Sequence, residues 1–362
     1  NKITHNLNDI KNCNIYIITV PTPIYKNKKP NLSHIIEATK SISKIMKKNN
    51  FIIYECTVYP GLIEEVCIPI INKISKLELN KDYFCGYSPE RINPGDKKHT
   101  LENTIKIVSA SNNYSLNYIN KIYSKIIKAG TKKVDSIKVA EAAKVIENAQ
   151  RDLNIAFVNE LAIIFNKLKI DTHKVLSAAS TKWNFLNFTP GLVGGHCIGV
   201  DPYYLTYKAN KIGYEPKIIL AGRNINNKMK LFFLKIINKE IRLKFKNYQN
   251  LRILFAGITF KENCSDIRNS QSIELLKKIK NKYKYVDVYD PLLKNKKINK
   301  IYNLKLIDKP KKNFYNVVIL SVPHKKIITK NKNYMINKYC DKNSIIFDFK
   351  NYLKKTNNII QL

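Results

Sequence analysis

The chain has 362 residues, 44% of them hydrophobic, and a formal net charge of +37. This length and composition predict a globular protein of about two or three domains with apolar cores. The basic residues are 58 lysines and 6 arginines, and the lysines are scattered, with no arginine-rich arm and no zinc-ligand spacing. A net charge this high is typical of nucleic-acid-binding proteins, but the scattered distribution of the lysines argues against such binding and favours a small anionic ligand.

The cysteines and the hydropathy pattern indicate the class of protein. The chain has an odd number of cysteines and no C-x-x-C pair, the positions being 13, 56, 67, 85, 197, 264 and 340. Neither a disulfide framework nor a metal site is indicated, and a cytoplasmic location is expected. No apolar run approaches the length of a membrane span and no signal-peptide pattern is present, so no membrane association is expected.

Short β-rich runs alternate with helical patterns at the start of the chain. Strands are predicted at 15–20, 51–54, 83–87 and 105–109, and helices from Ser33 as N-cap, at 62–76 and at 114–128. Polar or proline-rich loops follow the strands. This alternation predicts a doubly wound α/β domain with a parallel sheet over residues 1–133, whose ligand lies above the carboxyl ends of the strands.

The pattern then becomes helical, from 134 to 246, and returns to α/β over 247–362. A long helix without a breaker is predicted at 136–168, and its length suits a helix that connects domains or forms a homodimer better than a crossover. Further helix is predicted to about 180 and at 216–246. The last region has predicted strands at 251–258, 286–290, 317–322 and 344–349, with a helix at 270–280.

A glycine-rich stretch between these regions contains a cysteine. Four of the eleven glycines lie between Gly191 and Gly199, with Cys197 among them and Asp201 just beyond. Glycine allows a backbone to approach a ligand closely, so a thiol here suits an active-site nucleophile. The alternative is a tight turn with an inert cysteine. A dyad of Cys197 with His196 is disfavoured, because neighbours on a turn point apart.

Several charged or polar residues occupy positions that suit catalysis. Lys144 and Asn148 lie on one face of the long helix, where they could stabilise an oxyanion, and the alternative is a solvated lysine beside an ordinary neighbour. Glu147 and Arg151 are predicted to form a helix-face pair. Glu90 follows a strand and suits a base, or is a loop charge; Thr57 suits a water-binding residue or a helix cap.

The arginines and one lysine suggest anion binding. Arg223 could bind an anionic ligand, or it is a surface helix charge. Lys261 and Arg268 lie on a strand-to-helix loop, where a helix N-terminus also favours phosphate. Four of the six arginines fall inside such motifs, namely residues 91, 151, 223 and 268.

Taken in order, these motifs resemble the UDP-glucose/GDP-mannose dehydrogenase family. They are V-x-T-P at 20–23, Cys-Thr-Val at 56–58, Ser-Pro-Glu at 88–90, Lys-x-x-x-Asn at 144–148, Gly-Gly-x-Cys-x-x-x-Asp at 194–201 and Phe-Lys-x-x-x-x-Asp-x-Arg at 260–268. The resemblance covers nearly the whole chain. The loop at 88–96 and the stretch at 182–204 look like the branch that acts on UDP-N-acetylhexosamines, above all UDP-N-acetylglucosamine, in surface polysaccharide biosynthesis.

The resemblance implies an NAD-dependent double oxidation of C6 of the sugar to a uronate. Cys197 would form a thiohemiacetal and then a thioester. Lys144 and Asn148 would stabilise the oxyanion, Asp201 would tune them and the hydrolytic water, and Glu90 and Thr57 would serve acid/base steps and position water. Substrate-binding residues would be Lys261, Arg91, Gly194, Gly195, Arg223 and Phe185. Residues toward NAD would be Val20, Thr22, Pro23, Thr57 and Arg268.

The chain departs from the family pattern in places. The glycine-rich G-x-G fingerprint for the cofactor pyrophosphate is absent from the sequence. We therefore expect the first βαβ units to be missing, the Rossmann-like domain to be incomplete and a strand edge to be exposed. Pro94 and Val200 also differ from the pattern, at positions that bear on substrate. Alternatives are a non-catalytic remnant that only binds sugar nucleotide, or UDP-N-acetylmannosamine or UDP-glucose as substrate.

Overall fold

The structure is a computed structural model that describes residues 3–93, 96, 98–195, 197–248, 250–328 and 334–362, with the backbone alone at 296–297 and 334–335. The chain divides into two compact units. The first comprises Asn1–Gln150 and Val200–Lys217, and the second Arg151–Gly199 and Ile218–Leu362. The division into three domains that the sequence predicts, at 1–133, 134–246 and 247–362, remains a prediction.

The first unit has a sheet with helices packed against it. The strands are β1 Ile15–Ile18, β2 Asn50–Tyr54, β3 Tyr83–Tyr87, β4 Lys106–Ala110 and β5 Thr131–Lys133. The helices are α1 Ser33–Ser43, α2 Ile68–Ser75 and α3 Asn113–Ser124, with a 3-10 turn at Leu7–Ile10 and a π-helical turn at Ile63–Cys67 before α2. All but the short strand β5 and the 3-10 turn correspond to predicted elements.

The first sheet differs from the prediction in the direction of one strand. Its order is β1-β2-β3-β4-β5, and β1, β2 and β3 are parallel. β4 runs antiparallel to β3, although the whole sheet was predicted to be parallel. The reason is the connection at 88–105, whose described residues form no crossover helix, and a chain that returns without a crossover pairs antiparallel.

Burial distinguishes the centre of this sheet from its edge. Every residue of β2 and β3 is buried, as expected of parallel strands that are covered on both faces. β1 lies at the edge of the sheet, pairs in the described residues with β2 alone, and exposes Ile17. At the start of α1 the N-cap is Leu32 rather than the predicted Ser33, and the Asn31 side chain accepts the Ser33 amide hydrogen bond.

Four helices follow. They are α4 Ile137–Leu168, α5 Thr172–Ala179, α6 Asp201–Lys211 and α7 Lys217–Lys244. The sequence predicted three of them and missed α6. Asp201 and Pro202 at its first positions are typical of a helix N-terminus, because proline lacks the amide hydrogen that would be unpaired there and an acidic side chain favours the helix dipole.

The second unit contains a parallel sheet with Rossmann-like topology. Its elements are β6 Arg252–Ala256, α8 Gln271–Lys280, β7 Tyr285–Tyr289, α9 Asn295–Tyr302, β8 Tyr315–Leu320, α10 Tyr334–Asn337, β9 Cys340–Phe347 and β10 Ile359–Ile360. The strand order is β10-β9-β8-β6-β7. The chain leaves β6 toward β7 and then crosses to β8 on the other side, so β6 is the topological switch point. Ligands of such sheets bind at the carboxyl ends of the strands beside that point.

One apolar core joins α7 to this sheet. Met229 and Phe233 of α7 pack in the same buried cluster as Phe255 of β6 and Val288 of β7. In the described part of the chain no helix is long and apolar enough to cross a membrane. Likewise, the described residues contain no group of three or more His, Cys, Asp or Glu side chains that could hold a metal ion.

Candidate active site

The carboxyl ends of β1, β2 and β3 lie in register at one edge of the first sheet. Ile18 pairs with Tyr54, and Tyr54 with Tyr87, so the residues that follow these three strands begin at the same level. The loops after these strands contain Val20, Thr22, Pro23, Thr57 and Glu90. Arg91 lies next to Glu90. Six residues that were predicted to belong to the site thus lie in loops that follow parallel strands of the first unit.

The loop after β1 is held by a tyrosine of α6. The Tyr204 hydroxyl donates to the Pro23 carbonyl at 3.2 Å. Thr22 is buried, and its hydroxyl is one of the groups that act on the pKa of Tyr204, which burial raises. Tyr204 therefore supports the V-x-T-P motif, a connection that the sequence did not reveal.

Glu90 and Arg91 make contacts within their own loop and with α4. The Glu90 carboxylate accepts the Ile92 amide hydrogen at 2.6 Å. Arg91 donates to the Ile105 carbonyl at 2.8 Å and forms an ion pair with Glu147 at 2.7 Å. The predicted pairing of Glu147 with Arg151 is thus replaced by a pair with Arg91, because α4 turns Glu147 toward this loop.

A buried polar cluster joins α4 to the first residue of α6. Lys144, Asn148 and Asp201 are 7%, 8% and 3% exposed. The Asn148 side-chain amide donates to an Asp201 carboxylate oxygen at 2.5 Å. The helical spacing predicted a shared face for Lys144 and Asn148, and the structure brings both to Asp201.

The environment of Asp201 changes its acidity. Burial raises the pKa of this carboxyl to about 6, while the Lys144 charge and the Asn148 hydrogen bond act in the opposite direction. A carboxyl with a pKa near the working pH can both accept and release a proton. An ammonium, an amide donor and a titratable carboxyl in one dry cluster are suited to stabilise a developing oxyanion and to handle its proton.

The sequence missed two buried charged residues of the first unit. Glu141 on α4 accepts the Gly61 and Ile63 amide hydrogens, and burial raises its pKa to about 8. Lys106 is 4% exposed, pairs with Glu55 at 3.3 Å and lies 3.4 Å from the Pro89 carbonyl, next to Glu90. No sequence signal identifies Lys106, since it is one lysine among 58.

In the second unit, two glycines allow the loop with Cys197 to pack on the loop after β6. A Cβ atom at Gly194 would lie 2.6 Å from the Asn269 carbonyl oxygen. At Gly195, which has φ +92°, a Cβ atom would lie 2.7 Å from the Phe260 ring. The close approach that glycine permits here is therefore to these two residues. The predicted contact of Gly194 and Gly195 with substrate remains a prediction.

Cys197 lies half-buried in this loop, beyond Gly195. Its charge is one of the causes that raise the pKa of Arg268, the first being the Asp266 hydrogen bond. Arg268 donates to both carboxylate oxygens of Asp266, with an Nη2 to Oδ2 distance of 2.6 Å. The Arg268 guanidinium therefore lies within electrostatic range of the Cys197 side chain. His196 lies outside the described residues.

A cavity of 280 Å³ adjoins the glycine-rich loop. Gly194 and Lys261, both predicted to bind substrate, line it together with Phe260 and Lys350. The structure therefore brings together residues that are 67 positions apart in the sequence. Lys350 forms an ion pair with Glu262. Lys261 beside an aromatic ring at the switch point of the sheet suits a phosphorylated ligand with a planar group. Phe185 is half-buried.

Arg223 has a partner within the second unit. It is 3% exposed and donates to an Asp152 carboxylate oxygen at 2.6 Å. It is therefore not the surface helix charge that the sequence allowed as an alternative. Its role toward substrate remains a prediction.

Asn159 connects this ion pair to the glycine-rich loop. Its side chain donates to the Gly191 carbonyl at 3.0 Å and accepts the Gly191 amide hydrogen at 2.8 Å. The Asn159 side-chain amide also donates to the Asn226 side-chain oxygen at 2.8 Å, and the Asn226 side-chain amide donates to an Asp152 carboxylate oxygen at 2.7 Å. The sequence did not single out Asn159, since an asparagine within a helix carries no local signal.

Sequence models of one family match three segments of the chain. For the UDP-glucose/GDP-mannose dehydrogenase family, the NAD binding domain matches residues 2–127, the central domain 138–228 and the UDP binding domain 254–355. The first match does not support the expectation that the first βαβ units are missing, because the NAD binding domain of the family is recognised over residues 2–127.

Similar proteins include two that are about 50% identical to this chain over the aligned residues. The chain is 50% identical over 321 residues to the UDP-N-acetyl-D-glucosamine 6-dehydrogenase of Pseudomonas aeruginosa, covering 89% of this chain and 76% of that protein. It is 48% identical over 348 residues to Protein CapL of Staphylococcus aureus, covering 96% and 81%.

A solved structure of similar fold is that of the UDP-D-ManNAc dehydrogenase from Pyrococcus horikoshii. The TM-score is 0.88 at 25% identity, and the match covers 99% of this chain and 83% of the other. This similarity and the family matches confirm the predicted class: an α/β protein with Rossmann-like regions toward both ends and a helical region between them.

Proposed function

The chain belongs to the UDP-glucose/GDP-mannose dehydrogenase family, and from this premise we propose that it oxidises C6 of UDP-N-acetylglucosamine to the uronate with NAD. The observation that carries the proposal is the 50% identity to a UDP-N-acetyl-D-glucosamine 6-dehydrogenase over 89% of the chain. The buried cluster of Lys144, Asn148 and Asp201 supports the chemistry. A product of this kind suits surface polysaccharide biosynthesis in the cytoplasm, where cysteines remain thiols.

The residues toward the cofactor fit a dinucleotide. Val20, Thr22 and Pro23 follow β1, and Thr57 follows β2, at the carboxyl edge of parallel strands where dinucleotides lie in Rossmann-like sheets. Bound NAD would accept a hydride from C6 in each of the two oxidations. The Tyr204 hydrogen bond to Pro23 would keep the loop after β1 in place.

The thiol of Cys197 divides the reaction into separate steps. In the first oxidation the C6 alcohol loses a hydride and a proton and becomes an aldehyde. The Cys197 thiolate then adds to the aldehyde carbon, forming a carbon–sulfur bond and an oxyanion. Loss of a second hydride leaves a thioester. Water attacks the thioester, the carbon–sulfur bond breaks, and the carboxylate, the Cys197 thiolate and two protons are released.

The polar cluster of the first unit would serve the charged intermediates. Lys144 and Asn148 would donate to the oxyanion, and Asp201, with its pKa near 6, would exchange protons with Lys144 and the hydrolytic water. Glu90 and Thr57 would position that water. In the second unit Lys261 would bind the substrate diphosphate from the cavity that it lines.

The test is an assay of the purified protein with NAD and a panel of UDP-sugars. We expect two NADH per uronate, with the highest kcat/KM for UDP-N-acetylglucosamine. Higher kcat/KM for UDP-N-acetylmannosamine or UDP-glucose would reassign the substrate. UDP binding without NADH formation would favour the alternative of a non-catalytic sugar-nucleotide-binding protein.

The cysteine mechanism is tested by Cys197→Ser, with Cys264→Ser as the control. Both cysteines are half-buried. Serine is a poorer nucleophile and leaving group than a thiolate, so uronate formation by Cys197→Ser should fall by at least about 10³-fold. Cys264→Ser should retain uronate formation. Full activity of Cys197→Ser would exclude the thioester route.

A homodimer through α4 is a further part of the proposal. Within the second unit α4 exposes Phe157 and, seven residues later, Ile164, as well as Leu168. A spacing of seven places side chains on the same face of a helix, and an exposed apolar face suits a second copy of the chain. Phe157→Asp combined with Ile164→Lys should halve the mass in solution; an unchanged mass would place any dimer contact elsewhere.

A further inference from the structure

A buried histidine lies at the carboxyl edge of the second sheet, outside the proposed chemistry. His324 follows β8, Asp290 follows β7 and Thr259 follows β6. Their exposed fractions are 0%, 4% and 0%. The His324 Nε2 atom lies 3.1 Å from an Asp290 carboxylate oxygen and 3.1 Å from the Thr259 hydroxyl. Three strands of the sheet thus contribute to one polar cluster.

The hydrogen bonds determine which ring nitrogen carries the proton. The Asn263 amide donates to His324 Nδ1 at 3.0 Å, so Nδ1 is an acceptor and the hydrogen is on Nε2. From there it faces Asp290 and Thr259. Asp290 also accepts the Ile258 amide hydrogen at 2.8 Å, which fixes the carboxylate. The Asp290 carboxylate therefore orients the imidazole, as in other carboxylate–histidine pairs.

The cluster reaches the backbone on both sides of Glu262. On one side the Thr259 hydroxyl donates to the Lys261 carbonyl at 2.9 Å. On the other side His324 accepts from Asn263, whose φ of +56° is unusual for a residue other than glycine. The loop is thus tied at both residues that flank Glu262, and the Lys261 side chain extends from a backbone that is already ordered.

We propose that His324, oriented by Asp290, is a positioning residue that holds the Lys261 loop in the conformation that binds the diphosphate of the UDP-sugar. This inference rests on the proposed function, in which Lys261 contacts the diphosphate. A side chain on a mobile loop must be ordered when the ligand binds, and that ordering lowers affinity. A loop that is ordered beforehand avoids this loss.

The test compares two substitutions that differ in a single hydrogen bond. His324→Leu removes the acceptor for the Asn263 amide, whereas His324→Asn places a carbonyl oxygen near the position of Nδ1. Both lose the Asp290 contact. Calorimetric titration of the full chain with UDP should give about a tenfold higher Kd for His324→Leu and about a threefold higher Kd for His324→Asn, of the order of one lost hydrogen bond.

A double-mutant cycle separates positioning from general stability. In a Lys261→Ala background, His324→Leu should change the UDP Kd less than about twofold, because the loop no longer presents the ammonium. The same fold increase in both backgrounds would overturn the positioning role. An unchanged UDP Kd for Lys261→Ala alone would instead contradict the proposed contact of Lys261 with the diphosphate, so the two failures are distinguishable.

A milder substitution keeps the test possible if His324→Leu does not fold. Thr259→Val retains the shape of the side chain and removes only the hydroxyl that joins His324 to the Lys261 carbonyl. We expect about a threefold rise in the UDP Kd, the loss of a single neutral hydrogen bond. Unchanged UDP affinity in both Thr259→Val and His324→Asn would overturn the inference.

Discussion

Two buried aspartates have different partners. Asp152, in the second unit, is 1% exposed and forms an ion pair with Arg223 at 2.6 Å. Asp201, in the first unit, is 3% exposed and accepts from the neutral amide of Asn148, with the Lys144 charge as a further influence. Burial raises the pKa of both carboxyls, for Asp201 to about 6.

The difference indicates which carboxylate is structural and which is available for chemistry. A guanidinium in direct contact favours the ionised form of its partner and so opposes the effect of burial on the pKa of Asp152. The pair is part of a network that extends through Asn226 to Asn159. An amide partner satisfies a carboxylate oxygen without fixing its charge. Equal burial therefore does not imply equal function; the partner decides it.

The largest effect is expected when the Asp152 pair is broken. Asp152→Asn removes the carboxylate charge that pairs with the buried Arg223 guanidinium, and breaking a buried ion pair on one side typically costs about 3–5 kcal/mol of folding free energy. Urea-induced unfolding measures this loss. The control is Asp341→Asn, because Asp341 pairs with Arg252 at 3.3 Å and these side chains are 32% and 40% exposed. An exposed pair of this kind contributes about 1 kcal/mol or less.

An equal loss of unfolding free energy in Asp152→Asn and Asp341→Asn would show that burial does not strengthen the Asp152 pair. The contrast between the two aspartates would then be wrong.

Asp201→Asn should affect activity rather than folding. The amide cannot exchange a proton with Lys144 or water, so kcat/KM for the uronate-forming reaction should fall by about 10²–10³-fold. Stability at neutral pH should be unchanged or higher, because a buried carboxylate has been replaced by a neutral group. If Asp201→Asn instead loses as much stability as Asp152→Asn while its folded fraction keeps wild-type kcat/KM, Asp201 is the structural carboxylate.

The pH dependence of stability is a sharper test of Asp201. Its pKa rises from 3.8 to about 6 on folding, so the folded state binds the proton more tightly. Below pH 3.8 the carboxyl is protonated in both states; as the pH rises to about 6, the wild type loses stability relative to Asp201→Asn, by roughly 3 kcal/mol. Glu141, with its pKa raised to about 8, acts in the same direction in both proteins.

The difference in unfolding free energy between wild type and Asp201→Asn at several pH values isolates the Asp201 contribution. A difference that stays constant between pH 4 and 7 would contradict the raised pKa.

The smallest effect is expected at Asn159, where the Asp152 network meets the glycine-rich loop. Asn159→Ala leaves the Gly191 amide and carbonyl without this partner, which should cost about 1–3 kcal/mol of stability. Asn166→Ala, at an exposed position on the same helix, should change stability by less than about 0.5 kcal/mol. Indistinguishable melting temperatures for the two variants would show that the Gly191 contact is not coupled to the fold.

From the sequence, most of the longer helices and strands could be predicted, and the candidate site residues could be proposed from their motifs. Short apolar runs that alternate with segments of helical periodicity predicted the α/β class, because the spacing of apolar side chains follows the geometry of the strand or helix that contains them. The four-residue spacing of Lys144 and Asn148 predicted a shared helix face; in the structure Asn148 donates to Asp201 and the Lys144 charge acts on the same carboxyl. The motif at 260–268 fixed Lys261 on a strand-to-helix loop.

The tertiary structure alone decided the partners of charged and small residues. Arg223 could not be assigned to Asp152 from the sequence, since 71 positions separate them. The antiparallel direction of β4 and the close approach of Gly195 to Phe260 also depend on segments that are distant in the sequence. Glu141, Lys106 and His324 carry no local pattern. Their surroundings come from distant segments, and burial beside a given partner, which sets charge and hydrogen bonding, exists only after the chain has folded.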